Sequence, residues 1–416
     1  MGVRRNGVSL AFRSALLLAC AGAIVASAQR SKTQAHSGAV TFHGDVAPIL
    51  ERRCQGCHAD GSTPLATYNE VKPKAEAIVE AIKSRRMPPW FADPKVGEFA
   101  NEPRLSADEI RVIESWLAGG TLAGKAGMLR HVLASTPEPL SPDLVLTASK
   151  PLAIEANNAL DYRYLILSLP FTFDRWIRAA EIRPSNRRAV HHAVLYVRDP
   201  RSKWLREQAA GEPYAPRDAE ALARARAVTD EVLAVYAPGA DGMLCPDGMA
   251  KRVPAGSDLV LQIHYARSAE ATADQPEVGL AIAPETPKKR VVTLPFAKGA
   301  AGRPLTTRPL LVDALLVSLF PRTYLPGVGA DFDIVEPGGI SEPVLKVAPN
   351  TIGLQLNYAF KSPRPMYKGG ALRWTPRPAA GAAASEPGDD SDESMTGYYD
   401  IAVDLNVSTQ RILAQQ

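Results

Sequence analysis

The spacing of apolar residues predicts two kinds of structure, with the change near residue 142. Residues 42–120 show helical spacing. The clearest helix begins at Ser106, which starts a capping box, and carries Ile110, Ile113 and Leu117 on one face. Two glycines follow, and glycines commonly end helices. This part of the chain is therefore predicted to be small and all-α.

From residue 142 onwards, short apolar stretches are separated by prolines and glycines, which is typical of antiparallel β-sandwiches. Residues 121–141 have little periodicity and predict a linker. Residues 200–235 are rich in Arg, Glu and Ala and predict an exposed helical insertion, while the composition of residues 376–394 predicts a disordered loop. The predicted strands cover residues 143–146, 163–169, 190–197, 258–265, 290–294, 310–319, 351–360 and 398–407.

The helical part contains the run Cys54-Gln55-Gly56-Cys57-His58. A Cys-x-x-Cys-His run is the attachment motif of a c-type haem, in which both cysteines bind the porphyrin covalently and the histidine binds the iron. A redox dithiol or half of a zinc site is the alternative. Zinc would need a second ligand pair, and the next cysteine is Cys245. We therefore expect one covalent haem c at Cys54 and Cys57, with His58 as an iron ligand.

Met87 is the candidate for the second axial iron ligand. It precedes Pro88 and Pro89, which force an extended loop that can hold the thioether over a haem. A thioether ligand raises the reduction potential, which suits electron transfer. The alternative is that Met87 only fills space in a hydrophobic core.

The N-terminus predicts export. Three arginines precede an apolar run that ends in Ala-Ser-Ala, which is typical of a secretory signal peptide (residues 1–28) cleaved after Ala28. A lipoprotein site at Cys20 is the weaker alternative, because apolar residues continue past it. Removal of residues 1–28 leaves a net charge of about +1, which gives no reason to expect a nucleic-acid partner. We expect a periplasmic or otherwise exported protein, without a transmembrane segment once the signal is removed.

Three of the seven histidines lie in predicted strands, namely His191, His192 and His264. Three imidazoles suit copper, and zinc would accept the same set. Adjacent residues on a regular strand point to opposite faces, so His191 and His192 can share a metal only if the strand bends or bulges there. Otherwise they are ordinary packed or hydrogen-bonded side chains.

The stretches around these histidines carry a resemblance. Residues 189–197 and 254–265, together with Asp174-Arg175-Trp176 and Tyr236-Ala237-Pro238-Gly239, resemble the copper type II, ascorbate-dependent monooxygenases of the peptidylglycine α-hydroxylating kind. In bacterial members this module is often fused behind a cytochrome c, and residues 87–90 and 116–120 match that fusion. The resemblance covers residues 42–416 and is patchy after residue 320. It implies an electron-transferring copper at His191, His192 and His264.

The resemblance also implies two tandem jelly-roll β-sandwiches, with one copper on each side of the cleft between them. The expected fold class is therefore multidomain, a small all-α cytochrome c domain followed by two all-β antiparallel sandwiches. The predicted boundaries are a signal peptide (1–28), a cytochrome c domain (42–120), a linker (121–141), an N-terminal monooxygenase-like β-sandwich (142–285) and a C-terminal one (286–416).

The second copper of that family activates oxygen and hydroxylates the substrate, held by a His-x-His pair and a methionine. In this chain Arg322 and Tyr324 occupy the positions of the pair, and Met395 stands one residue late. No histidine follows His264 in the sequence, and an arginine side chain does not deprotonate to bind copper. We therefore expect that the hydroxylating copper site has been lost.

Together these features predict an exported monohaem c-type cytochrome joined to a monooxygenase-like module. It would exchange single electrons with a redox partner protein or a small-molecule donor or acceptor. Two alternatives stay open. One is an active copper monooxygenase that receives electrons from the haem and hydroxylates a small C–H substrate, and the other is a β-sandwich that docks the cytochrome onto a partner.

Overall fold

The computed structural model describes most of the chain beyond residue 37. Val40–Gln416 form one compact unit, and the described residues contain more β-strand than helix. The ranges described are residues 38–58, 63–127, 141–157, 162–216, 218–226, 230–237, 240, 242–266, 270–296, 303–321, 328–349, 355–378 and 397–412.

Most of the described helical residues lie before residue 120. A π-helical turn (Phe42–Val46) leads into the first helix, and short 3-10 turns occur at Lys72–Lys74 and Thr409–Arg411. The α-helices are α1 (Ala47–Arg53), α2 (Gln55–His58), α3 (Tyr68–Val71), α4 (Ala75–Lys83), α5 (Ala107–Ala118) and α6 (Ala219–Arg226).

The predicted capping box at the start of α5 is confirmed. The Ser106 hydroxyl accepts a hydrogen bond from the Glu109 amide at 3.2 Å, and the Glu109 carboxylate accepts one from the Ser106 amide at 2.7 Å. Trp116, on the same helix, is 1% exposed and donates its indole N–H to the Leu122 carbonyl at 2.9 Å. The helix is thus capped at its start and packed along one face, where apolar side chains of α1, α3 and α4 surround Trp116.

The rest of the described chain is β-structure, with strands of two to nine residues. In chain order they are β1 (Leu144–Thr147), β2 (Leu152–Ile154), β3 (Tyr162–Ser168), β4 (Arg175–Arg183), β5 (Val190–Arg198), β6 (Pro213–Tyr214), β7 (Glu231–Tyr236), β8 (Gly242–Leu244), β9 (Met249–Val253), β10 (Asp258–Tyr265), β11 (Thr272–Asp274), β12 (Glu277–Ile282), β13 (Lys289–Pro295), β14 (Leu305–Thr306), β15 (Ala314–Phe320), β16 (Val328–Val335), β17 (Ser341–Val347), β18 (Tyr358–Met366), β19 (Ala371–Pro378) and β20 (Tyr398–Val403).

Fourteen of these strands belong to one curled, mixed sheet. Its main path runs β1-β12-β4-β9-β13-β7-β5-β10-β3-β6, and β20, β15 and β18 continue from β13. The pairing of β13 with β9 is parallel, whereas β13 pairs with β20 in the antiparallel sense. A four-stranded sheet has the order β14-β19-β16-β17, and β2 pairs with β11. The strand that carries His264, β10, lies between β5 and β3.

The predicted fold class is wrong. Among the residues that the structure describes, there is no separate all-α domain at residues 42–120 and no pair of tandem sandwiches, because one sheet continues past residue 286 through the pairs of β13 with β7 and β9. Residues 90–101, expected within the helical domain, hydrogen-bond to β17 and β18. Strand edges carry unpaired N–H and C=O groups that any neighbouring segment can satisfy. The apolar pattern does not encode which segment does so.

Several local predictions can also be compared with the structure. The strands predicted at residues 190–197 and 258–265 correspond closely to β5 and β10. The predicted insertion at residues 200–235 does contain α6, but β6 and most of β7 lie in it as well. The predicted loop at residues 376–394 begins inside β19, and its remainder lies outside the described residues. Apart from residues 121–127 and 141, the predicted linker also lies outside them.

Within the described ranges, no helix is both long and apolar enough to span a lipid bilayer. The predicted signal peptide, including Cys20 and the cleavage site after Ala28, lies outside these ranges.

Candidate functional sites

The Cys-x-x-Cys-His run occupies a single helical turn. α1 ends at Arg53, and the amides of Cys57 and His58 both donate to the Cys54 carbonyl, at 3.1 and 2.9 Å. Cys54 packs partly against the core formed by α1, α3, α4 and α5, which together with α2 are called the helical segment here, whereas Cys57 is exposed. Both thiols and the imidazole are therefore held within one turn of backbone.

The His58 ring is oriented by a backbone carbonyl. Its Nδ1 lies 2.9 Å from the Thr63 carbonyl oxygen. A carbonyl oxygen only accepts hydrogen bonds, so this contact places a proton on Nδ1, and in the neutral imidazole the lone pair then lies on Nε2. A ligand histidine usually donates its other ring N–H in this way. The donor set therefore fits a covalently attached haem with iron at Nε2. Thr63 could not be identified from the sequence, because the bond uses its backbone only.

Electrostatics weigh against the redox-dithiol alternative. Burial, and next the Cys57 thiol, raise the pKa of Cys54 to about 11. Reactive cysteines of redox dithiols have lowered pKa values, because the thiolate is the nucleophile. Cys54 is protonated at neutral pH and lacks that property.

Met87 lies in the loop that follows α4. Its amide donates to the Ala81 carbonyl at 3.1 Å, and 37% of the residue is exposed. A core-filling methionine would be buried, so this exposure does not support the packing-only alternative. The Met87 side chain is thus not enclosed by the core.

The three strand histidines come together at a β-bulge. His192 faces His264 across the β5–β10 pair, but the next pair is Val190 with Tyr265. His191 is thus the extra residue in β5, and a bulge of this kind places two consecutive residues opposite one. The condition that sequence reasoning required for a shared metal is therefore met.

The ring nitrogens converge at this point. His191 Nδ1 lies 3.1 Å from His264 Nδ1 and 3.3 Å from His192 Nδ1, and the candidate ligand atoms of all three lie within 4.8 Å of one another. Nitrogens bound about 2.0 Å from one ion are roughly 3.3 Å apart at tetrahedral angles. The geometry fits a three-imidazole centre. Such a donor set suits copper and is accepted by zinc.

The surroundings of the triad limit its movement. His192 is 2% exposed, and the Tyr162 ring stacks on His264 with a centroid distance of 4.4 Å and an interplanar angle of 5°. Tyr162 belongs to β3, directly opposite His264 in the ladder. Sequence reasoning missed Tyr162, and only the strand register identifies it.

A buried hydrogen-bond network anchors the backbone on both sides of the bulge. The Asp274 carboxylate accepts hydrogen bonds from the Tyr265 hydroxyl at 3.0 Å and from the Asn186 amide at 2.9 Å. The Ala266 amide also donates to the Ala189 carbonyl at 2.7 Å. Burial, together with the Asp274 carboxylate, raises the pKa of Tyr265, so its phenol remains a donor. The chain before His191 is thus tied to the chain after His264.

The positions expected for a second copper cannot be placed. Arg322, Tyr324 and Met395 lie outside the residues that the structure describes. The flanking residues Phe320 and Tyr398 are paired across β15 and β20.

Comparisons with known proteins do not identify the chain. No family model and no curated protein matches it. Among solved structures, it is similar to PNGF-II (8% identity, 63% of this chain, 65% of that chain, TM-score 0.31). It is also similar to recombinant peptide:N-glycanase F, with 11% identity over 64% of this chain and 97% of that chain and a TM-score of 0.31. A third similar structure is the VP2 subviral particle of infectious bursal disease virus, with 14% identity over 67% of this chain and 77% of that chain and a TM-score of 0.20. The chain thus covers slightly less than two thirds of PNGF-II. At these TM-scores the likeness carries no argument about function.

Proposed function

We propose that this chain is an exported electron-transfer protein with one covalent haem c and one copper. The observation that carries the proposal is the convergence of His191, His192 and His264 at a bulge. On a regular strand, His191 and His192 would point to opposite faces of the sheet. The bulge brings both imidazoles to the same side as His264, as a shared metal requires. The resemblance to copper type II monooxygenases, stated from the sequence, agrees with this choice of metal.

The haem half of the proposal rests on the turn at residues 54–58. Cys54 and Cys57 would form the thioether bonds, and His58 and Met87 would bind the iron. The hydrogen bond from His58 Nδ1 to the Thr63 carbonyl supports it, because this bond orients Nε2 as a ligand. Bound haem would supply reversible one-electron chemistry, and a thioether ligand would raise its potential.

The copper half concerns electron transfer and not hydroxylation. His191, His192 and His264 would hold one copper as neutral imidazole ligands, and the stacked Tyr162 ring would restrict the motion of His264. The sequence has no histidine after His264 for a second centre of the same kind. We therefore propose at most one copper per chain and no hydroxylase activity. The electron donor or acceptor would be a redox protein or a small molecule.

Elemental analysis tests the copper half. The wild type, expressed with export to the periplasm and with copper supplied, should contain about one copper per chain, and His192→Gln should contain almost none. His43→Gln is the matched control, because it removes an imidazole that packs against Phe42 in the helical segment. Equal copper in all three proteins would contradict the site. Zinc in place of copper would keep the ligands but remove the redox role.

Acid–acetone extraction after denaturation tests the haem half. The haem should stay on the polypeptide, and Met87→Ala should lower the reduction potential, because a soft thioether ligand stabilises the reduced iron. Extractable haem would contradict covalent attachment, and an unchanged potential would contradict ligation by Met87. Two coppers per chain together with a hydroxylated product would favour the monooxygenase alternative instead.

A further inference from the structure

The loop that carries Met87 is held from both ends. On one side, the amides of Arg86 and Met87 donate to the Ala81 carbonyl at the end of α4, at 2.9 and 3.1 Å. On the other side, Trp90 packs against the core of the strands that follow residue 142, which are called the β-region here. Pro88 and Pro89 separate these two anchors. Each proline has a fixed φ angle, so the loop has few free rotations between Met87 and Trp90.

The segment that follows, residues 90–101, is called the strap here. It is hydrogen-bonded to the ends of two strands that belong to different sheets. Near β17, the Asp93 amide donates to the Lys346 carbonyl and the Ala348 amide to the Phe91 carbonyl, both at 2.8 Å. Near β18, the Lys361 amide donates to the Glu98 carbonyl at 2.9 Å. The strap thus joins an edge strand of the four-stranded sheet to an outer strand of the curled sheet.

Aromatic contacts hold Trp90, the first residue of the strap, against the strands. The Trp90 ring lies 4.8 Å from the Tyr358 ring and 5.8 Å from the Phe99 ring. Phe99 in turn lies 5.6 Å from Tyr358 and 5.2 Å from Phe360. Tyr358 is 1% exposed and belongs to β18. Tilted ring pairs at these distances are attractive and directional, so the Trp90 ring has a defined position and orientation against the β-region.

We infer that Trp90 is a positioning residue for the Met87 thioether. Its packing on Tyr358, transmitted through the two rigid prolines, sets where the thioether stands relative to the haem-binding turn. The β-region and α4 would therefore hold Met87 together, whereas the helices alone hold His58. This inference rests on the proposed haem site and adds a specific partner for the ligand loop.

Loss of the contact between Trp90 and Tyr358 should weaken the bond between Met87 and the iron. Met87 is 37% exposed, so few other contacts restrain it. When the packing of Trp90 on Tyr358 is lost, the thioether should dissociate from the iron more often, and an added ligand such as azide should bind more tightly. If the dissociated fraction rises from roughly 1% to roughly 10%, the apparent azide affinity rises about tenfold.

The experiment compares variants of the full-length, haem-loaded protein. Trp90→Ala and Tyr358→Leu, which remove the contact from opposite sides, should each weaken the methionine–iron(III) charge-transfer band, lower the potential towards that of Met87→Ala, and raise azide affinity about tenfold. Trp90→Phe keeps a ring and should restore most of the wild-type behaviour. Phe91→Ala is the matched control, because Phe91 lies in the strap and packs on the same core without adjoining the prolines.

A separate readout distinguishes positioning from packing. Hydrogen exchange at the Ala348 and Lys361 amides reports whether the strap itself has loosened. If exchange increases in Trp90→Ala while the band, potential and azide affinity stay at wild-type values, the inference is overturned. An equal effect of Phe91→Ala on the iron would overturn it too. If Trp90→Ala does not accumulate, Trp90→Leu, which keeps apolar volume but no ring, carries the same expectation. A wild type without covalent haem refutes the proposed function first, whereas covalent haem with an unaffected variant refutes only this inference.

Discussion

The helical segment and the β-region build their candidate sites in different ways. In the helical segment, Cys54, Cys57 and His58 are neighbours in the sequence and occupy one turn. In the β-region, His191 and His264 are 73 residues apart and meet only because β5 and β10 pair in one register. A one-residue slip of that register would turn the histidines to the other face. The first site therefore depends on local structure, and the second depends on the whole sheet.

The two regions also place buried charge differently. In the helical segment, the Glu109 carboxylate is buried, but Arg53, which lies 3.1 Å from it, is partly exposed, and the Ser106 amide donates a further hydrogen bond. In the β-region, the Lys251 ammonium donates to the Leu233 carbonyl at 2.9 Å and lies 3.3 Å from the Asp400 carboxylate. Asp400 also accepts a hydrogen bond from Ser318 at 2.7 Å. This second network links several strands of the curled sheet, so we expect the β-region to respond more strongly to loss of a charge.

The largest expected effect separates the two sites. The double variant Cys54→Ser/Cys57→Ser should lose all covalent haem yet keep its copper, because the triad depends on the β5–β10 register and not on the helical turn. Haem staining on a denaturing gel and elemental analysis measure the two cofactors. Cys245→Ser is the control, since the same exchange at this buried thiol should leave the haem in place. Joint loss of haem and copper would show that the two sites assemble as one.

The next effect tests the buried charge of the β-region. Lys251→Met should reduce the free energy of unfolding by ~3–5 kcal/mol, because it leaves the Asp400 carboxylate buried without its cation. Urea unfolding of the haem-loaded protein, followed by tryptophan fluorescence, measures the change. Lys289→Met is the matched control on β13, where the exposed pair with Asp404 should contribute only ~0–1 kcal/mol. Similar decreases in the free energy of unfolding in both variants would show that the buried ion pair contributes no more to stability than the exposed one.

The smallest effect concerns pH and the helical segment. Burial opposes ionisation of Glu109, but hydrogen bonds from Ser106 and Arg53 outweigh it and hold the pKa of this carboxyl group below its ordinary value of 4.5. A lowered pKa in the folded state stabilises the protein above the unfolded value, and this contribution is lost as the pH falls through the folded value. Glu109→Gln should therefore cost about 1 kcal/mol at neutral pH.

The pH dependence of that cost is the test. The difference in unfolding free energy between wild type and Glu109→Gln should shrink as the pH falls below about 4.5, because the wild-type carboxylate then takes up a proton. Glu114→Gln is the control, since its ion pair with Lys83 is exposed. A difference that stays constant from neutral to acidic pH would show that the charge of Glu109 contributes nothing to stability.

The amino-acid sequence alone was sufficient for features that depend on neighbouring residues. The haem motif, the capping box at Ser106 and the short apolar strands around His191 and His264 can all be predicted without a structure, because they depend on the local sequence. The structure confirms the cap and the two strands. The haem itself stays a proposal.

Only the tertiary structure decided how these pieces combine. Three features join residues that are far apart in the chain. They are the bulge that brings the histidines together, the stacking of Tyr162 on His264, and the packing of Trp90 on Tyr358. The expected fold class, an all-α domain followed by two sandwiches, is wrong for the same reason, since β13 pairs with both β7 and β9 within one curled sheet. An apolar pattern states which face of a strand is buried, but backbone hydrogen bonds are alike for all residues, so they do not reveal the partner.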